Sequence, residues 1–406
     1  MYPIVLLYSV SMQFSGFLRV SIFAAVILGA LGLMTNQMVP KFDMAYYIDI
    51  ANHGILNNPK LAAPFAYRFA APILVGLMAR VLGLAIVAAF RISAVAASFA
   101  FIVACYYFAA SLRLAERFAA VAALAFALAV VVVKWNIFSG AMVDIYAYPI
   151  LLLAFWAMLR GRVLLCVLIS GVGLLFKEFL LLPLLTQAAV IAFNNGIREW
   201  RKTVWPLALT AAALGIFFVL PRALIHITGS FQNVDPINKP ESLNNLLAYP
   251  LSWQRDFNIV YSYLAFWLPV LLLLTWERLK IVRERWRGAW SAIAVFMFLH
   301  FLLVMYGGTN IMIFVSYSVP VAILVLAAVL HGGRVAWWEP ILMLAVVFVF
   351  NRDWAQIPLP SNYDEFVDFF GGYHDRVNMN SFRRMAELLL WIAGFWTFRS
   401  LAYLGL

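Results

Sequence analysis

Apolar residues come in long runs along this chain, each closed by a short cluster of charged or amide residues, without the strict alternation of half-buried strands. A bilayer core about 30 Å thick needs about 20 apolar residues as a helix. On that measure the runs predict about twelve spans, near 19–36, 88–111, 118–136, 144–160, 162–177, 178–194, 203–221, 258–276, 289–306, 310–330, 335–350 and 385–404. The stretch 68–81 is apolar but short, with Arg68 and Arg80 at its ends, which suits a helix lying in the membrane interface. Three segments between spans, 37–87, 222–257 and 351–384, are too long to be turns. Trp253, Trp354, Tyr363 and Tyr373 within them favour ordered, interface-packed structure, and all three are expected to cover one cavity. No repeat, low-complexity tract or detachable soluble domain breaks the pattern, so residues 1–406 read as a single all-α polytopic transmembrane domain. The first run is followed by Thr35-Asn36-Gln37-Met38 rather than a small-residue cleavage site, and is expected to be retained as a span.

Composition agrees with lipid as the solvent: 65% of residues are hydrophobic and only 12% charged, too few to wet a soluble globule of 406 residues. With the N-terminus inside, Arg113, Arg117, Arg198, Arg201, Lys202 and the cluster Arg278, Lys280, Arg283, Arg285, Arg287 all fall on one side, as the positive-inside rule requires. These clusters suit anionic headgroups, so the formal charge of +11 is no argument for nucleic-acid binding. The same threading gathers Asp43, Arg68, Asp144, Lys177 and Glu178 at the opposite, outer face. Cys105 and Cys166 lie inside apolar runs, which disfavours a disulfide or thiolate metal site. The five histidines lack H-x-x-x-H spacing. No phosphate-cradling glycine loop and no G-x-S-x-G appears, so direct use of a nucleotide sugar has no support.

The first outer segment carries the densest candidate chemistry. If 43–54 is helical, Asp43, Tyr47 and Ile50 share one face at i, i+4, i+7, while Asp49 pairs with His53 on another. Asp43 is then the better base, and Asp49 a structural partner of His53 or a backbone cap. An aspartate after the first span followed by Tyr47-x-x-Ile50-Ala51-x-x-Gly54, and then Pro64-Phe65-Ala66-Tyr67-Arg68, resembles the GT-C superfamily of membrane glycosyltransferases. The likeness covers the N-terminal two-fifths by motif and the rest by topology. It implies a polyprenyl-phosphate-linked sugar as donor, a glycan, lipid or protein acceptor, inversion at the sugar, and Asp43 as the catalytic base. It also implies a bacterial inner membrane with the site facing the periplasm. A base of this kind must be ionised near neutral pH and within about 3 Å of the acceptor hydroxyl. The plainer alternative is that Asp43 only anchors a helix end at the interface.

Other outer residues extend the site. Asp144 opens a predicted span, and a lone carboxylate beside an apolar run is a functional candidate by default, although it also complements a helix dipole. It resembles the second acidic position of the superfamily, which binds metal in some members and orients the acceptor in others. Two carboxylates without histidine hold Mg²⁺ or Mn²⁺ only when substrate phosphate and water complete the shell, so metal use stays open. Lys177-Glu178 divides an apolar stretch too long for one crossing and resembles a Lys-Glu motif of the family; the lysine is expected either to meet the lipid phosphate or to neutralise its neighbour across a hairpin. Arg68 and Arg222 are the outer arginines nearest span ends and are candidate partners of a leaving phosphate, with interface snorkelling as the alternative. Tyr47 and Tyr67 complete the substrate-binding candidates of the first loop. Tyr306-Gly-Gly-Thr309-Asn310 looks like a late loop of the family in which an arginine usually follows; here Ile311, Met312 and Ile313 follow instead, leaving Asn310 as the polar candidate. A lipid or glycan transporter would call for charges deep in several spans and inverted repeats. Lys134 is the most awkward charge and lies near a predicted span end, and no repeat is evident. A catalytically silent scaffold in a glycan assembly complex is the third reading.

Overall fold

The computed structural model describes residues 14–33, 43–56, 58, 61–112, 114–129, 132–195, 200–228, 253–306, 311–332, 335–351 and 379–405. Among them all regular structure is helical. The elements are α1 (Phe14–Leu33), α2 (Asp43–His53), α3 (Ala70–Leu82), α4 (Ile86–Ser111), α5 (Glu116–Ala127), α6 (Val133–Phe138), α7 (Asp144–Leu159), α8 (Val163–Leu174), α9 (Leu181–Asn195) and α10 (Trp200–Leu214). They continue with α11 (Leu220–Leu224), α12 (Trp253–Phe266), α13 (Leu268–Leu273), α14 (Trp276–Arg285), α15 (Trp290–Tyr306), α16 (Ile311–Ser316), α17 (Val319–Gly332), α18 (Trp338–Phe350) and α19 (Met379–Leu404). Helices are the expected answer to these runs, because an open sheet would leave backbone polar groups unsatisfied in lipid.

Three helices are long and apolar enough to cross a bilayer on their own: Ile86–Ser111, Thr203–Leu224 and Arg287–Tyr306. The middle one runs from α10 through a π-helical turn, Gly215–Val219, into α11. Shorter apolar helices fill other predicted spans, so the polytopic helical architecture holds while helix length alone does not establish twelve crossings. Three predicted spans are broken. The run 118–136 divides into α5 and α6, and the second piece buries Lys134, whose Nζ donates to the Asn351 carbonyl at 2.7 Å. The runs 258–276 and 310–330 break before Pro269 and Pro320, each the second residue of a new helix. Proline has no N–H for the preceding turn and its ring crowds the carbonyl four residues back, which favours a new helix start at these two positions, although Pro149 in α7 and Pro206 in α10 lie inside continuous helices.

The core is built on α17, which is buried all round from Val319 to Leu324, and on α4 and α7 packed against each other. Exposed apolar stripes at helical spacing, Leu18, Ile22 and Val26 on α1 and Leu164, Leu168 and Val172 on α8, mark surfaces that suit lipid rather than water. The short helix expected over 68–81 begins at Ala70, buries Ala71, Val75 and Ala79, and exposes Leu74, Leu77 and Val81. Its thirteen residues span about 20 Å, short of a bilayer core. It ends at Gly83 in the left-handed conformation (φ 64°), a common helix stop.

α17 joins two ends of the molecule. Its start follows Tyr317, and its last residue, Gly332, meets Ile281 on α14. Beside α14, Glu339 at the start of α18 binds Arg278 through both carboxylate oxygens (2.8 and 3.0 Å), with Arg399 at 3.3 Å and the Tyr403 hydroxyl at 2.6 Å. This cluster fixes α19 against α14 and α18. Of the long outer segments, residues 229–252 and 352–378 lie outside the described residues, as do Trp354, Tyr363 and Tyr373; Trp253 opens α12.

Candidate active site

Helix α2 presents the first loop to the site. Asp43 is its first residue, a favourable place for a carboxylate in the dipole field. Tyr47 and Ile50 are fully buried along the same face, and on the other side His53 Nδ1 lies 3.1 Å from Asp49 Oδ1, as the spacing predicts. α2 lies tightly on α3 because Gly76 has no side chain: a Cβ there would come within 2.2 Å of the Ala51 carbonyl oxygen. The short 3₁₀ turn Phe65–Tyr67 locks underneath, with Phe65 stacked on Tyr46 at 4.7 Å and edge-on to Tyr47 at 5.5 Å. Ala70 N–H then donates to the Leu175 carbonyl, tying this loop to the end of α8.

The Lys177-Glu178 turn lies next to that tie. Gly173 lets it fold back, since a Cβ there would stand 2.5 Å from Leu180 Cγ. Lys177 is extended (φ −161°, ψ 139°), so successive side chains leave the backbone on opposite sides. The two residues therefore take different ion-pair partners. Lys177 Nζ reaches Asp144 Oδ1 at 2.8 Å, whereas Glu178 takes a bidentate pair from Arg68, one arm being Nε to Oε2 at 2.8 Å. Arg68 also donates to the Tyr47 hydroxyl at 3.1 Å. One network thus joins the first loop, the Lys-Glu turn and the start of α7.

Asp144 is completely buried, and Lys177 is only 3% exposed. The Tyr317 hydroxyl donates to the same Asp144 Oδ1 at 2.8 Å, while Asp144 Oδ2 has no hydrogen-bond partner among the described residues. Tyr317 is held in a stack, 4.3 Å from Phe179 and 4.8 Å from Tyr148, whose own hydroxyl meets Ser316 Oγ at 2.5 Å. Sequence reasoning assigned Tyr317 and Tyr148 no role. Their signal was a pair of tyrosines in apolar runs, which must find hydroxyl partners when buried.

Asp43 forms no ion pair among the described residues and keeps partial solvent access. Burial pushes its carboxyl above the ordinary value; Arg68 and Lys177 pull it back, and Asp144 pushes it further up. Burial likewise raises the Tyr47 phenol, and Arg68, although burial works against it, is held above its ordinary value by Glu178. A carboxylate under the influence of two cations and held above its ordinary value can accept a proton.

Arg222 and Tyr67 also come together: the guanidinium lies 4.6 Å from the Tyr67 ring and 3.6 Å from Phe218, and it donates to the Phe218 carbonyl at 2.9 Å. Beside them is a cavity of about 600 Å³, lined mainly by apolar residues including Leu61, Phe69, Leu220, Pro221, Leu224 and Ile225. Asn310 lies outside the described residues. The predicted residues Asp43, Tyr47, Arg68, Asp144, Lys177 and Glu178 thus form one site, with Tyr67 and Arg222 at its edge.

The fold has solved counterparts. Two crystal structures of ArnT from Cupriavidus metallidurans superpose on the chain, one bound to undecaprenyl phosphate (TM-score 0.52) and one in the apo state (TM-score 0.50). The fold is that of ArnT. Each is 15% identical and aligned over 94% of this chain, covering 77% and 75% of ArnT respectively. No protein-family model matches the sequence, and no curated protein matches it.

Proposed function

We propose that the chain is a membrane glycosyltransferase that moves a sugar from a polyprenyl phosphate to a hydroxyl acceptor at the extracytoplasmic face of a bacterial inner membrane. The carrying observation is Asp43, a carboxylate without an ion-pair partner among the described residues, set beside the Arg68–Glu178 and Lys177–Asp144 pairs. The ArnT fold, solved with undecaprenyl phosphate, supports a polyprenyl-phosphate donor. Asp43 takes the acceptor's proton as its oxygen bonds to the anomeric carbon and the bond from that carbon to the phosphate oxygen breaks, which inverts the sugar. Arg68 keeps Tyr47 and Glu178 in place around the base. Arg222 uses one donor on Phe218, and among the described residues its other donors are unpartnered; it lies beside the apolar cavity, where a lipid-phosphate leaving group would find both charge and apolar surface.

The test is the full chain in nanodiscs with a panel of undecaprenyl-phosphate sugars and of glycan, lipid and peptide hydroxyl acceptors, measuring release of undecaprenyl phosphate. Asp43→Asn keeps the shape but cannot accept the proton, and is expected to cut release by about 10²-fold or more. Near-normal release by that variant, or none by the natural chain with any donor, would end this reading.

A further inference from the structure

The outer site raises the question of a divalent cation, because two aspartates, Asp43 and Asp144, influence one another there. The residues do not fit one. No group of three or more His, Cys, Asp or Glu side chains converges among the described residues. Mg²⁺ demands six oxygen ligands at about 2.0–2.1 Å in near-octahedral geometry. Asp144 Oδ1 already holds the Lys177 ammonium at 2.8 Å and the Tyr317 hydroxyl at 2.8 Å, in a pocket where Asp144 is fully buried. A metal would have to displace the lysine, whose charge cannot leave a site where it is 3% exposed without being neutralised.

We propose that the Lys177 ammonium is a built-in replacement for a divalent cation, so that sugar transfer at this site needs no metal. This rests on the glycosyltransferase reading for its catalytic half only. An ammonium is a compact point charge with three donors. One is spent on Asp144, so Lys177 already supplies the positive charge that a cation would bring to that carboxylate.

The experiment follows the electron paramagnetic resonance signal of free Mn²⁺ over the full chain in phosphatidylcholine nanodiscs. The natural chain is expected to leave the signal unchanged. In parallel, chelator should leave donor turnover by the natural chain within about twofold. The proposal is overturned if the natural chain binds Mn²⁺ in a way that Asp144→Asn removes. It is equally overturned if chelation abolishes turnover and Mn²⁺ restores it. The binding measurements need no turnover, so a chain without transferase activity would sink the catalytic reading and leave the cation result standing.

Discussion

At one end of α17 the buried Glu339 carboxylate accepts from Arg278, Arg399, Tyr403 and the Ala336 N–H, so both oxygens are occupied; at the other end Asp144 shares one oxygen between Lys177 and Tyr317 and leaves the second without a partner, close to an Asp43 with no ion pair among the described residues. Both clusters are buried charge in an apolar molecule, where an unpaired group is expensive. The Glu339 carboxylate, with both oxygens taken, is a joint between helices. The Asp144 carboxylate keeps acceptor capacity in reserve, and a carboxylate with unused capacity can receive a proton or a substrate. How far the carboxylate is satisfied, rather than its burial or charge, separates Asp144 from Glu339.

The comparison can be broken from either side. Asp43→Asn is expected to cost activity and not stability. Glu339→Gln is the inverse case: it leaves two arginines around a neutral amide, and a loss on the order of 3 kcal/mol is expected from thermal unfolding in detergent. Turnover per folded molecule should then be unchanged, and a selective loss of turnover would show that the two clusters are not independent.

Gly76→Ala asks whether scaffold packing sets the base. The added Cβ would meet the Ala51 carbonyl, so α2 must move away from α3, at about 1–3 kcal/mol of stability together with a fall in kcat. Stable protein with full activity would mean that the position of α2 is not decisive. A smaller change is Tyr317→Phe, which removes one hydrogen bond to a charged acceptor and should cost about 1.5 kcal/mol, with a drop in kcat well below that of Asp43→Asn.

The finest test is pH. Asp43 must be ionised to act, and its value in the folded chain lies above the ordinary 3.8, so the acid limb of kcat/KM should lie above the usual carboxylate range. Because Lys177 lowers and Asp144 raises that value, Lys177→Met should move the limb to higher pH and Asp144→Asn to lower pH. Shifts in the same direction would remove Asp43 from the assignment. The stability sign is the reverse of a salt-bridged aspartate: the folded chain holds the Asp43 proton more tightly than the unfolded one. That contribution is complete below 3.8 and is lost as pH rises through the folded value, so Asp43→Asn should be at least as stable as the natural chain at neutral pH, as thermal melts would show.

Much of this was legible in the residues themselves. The face shared by Asp43, Tyr47 and Ile50 and the Asp49–His53 pair follow from helical spacing, which acts over one or two turns. The breaks before Pro269 and Pro320 were also written in the chain, yet the span reading ran through both because hydropathy ignores a missing N–H. The partners of Lys177 and Glu178 were not legible. Adjacent opposite charges read as a pair, but an extended lysine sends the two side chains apart, and their partners lie far away in sequence, Arg68 being 110 residues from Glu178.

The sequence by itself determined that this is a helical protein for lipid, where the apolar runs fall, and which polar residues gather at one face, because hydropathy and helical periodicity are local properties. Only the tertiary structure decided which charge neutralises which and which carboxylate is left without a partner. Pairing depends on close approach in space of groups distant along the chain, made possible here by side-chain-free contacts at Gly76 and Gly173 and by the turn of backbone at Lys177. In a low-dielectric interior that choice of partners, more than the identity of the residues, sets which group is free to react.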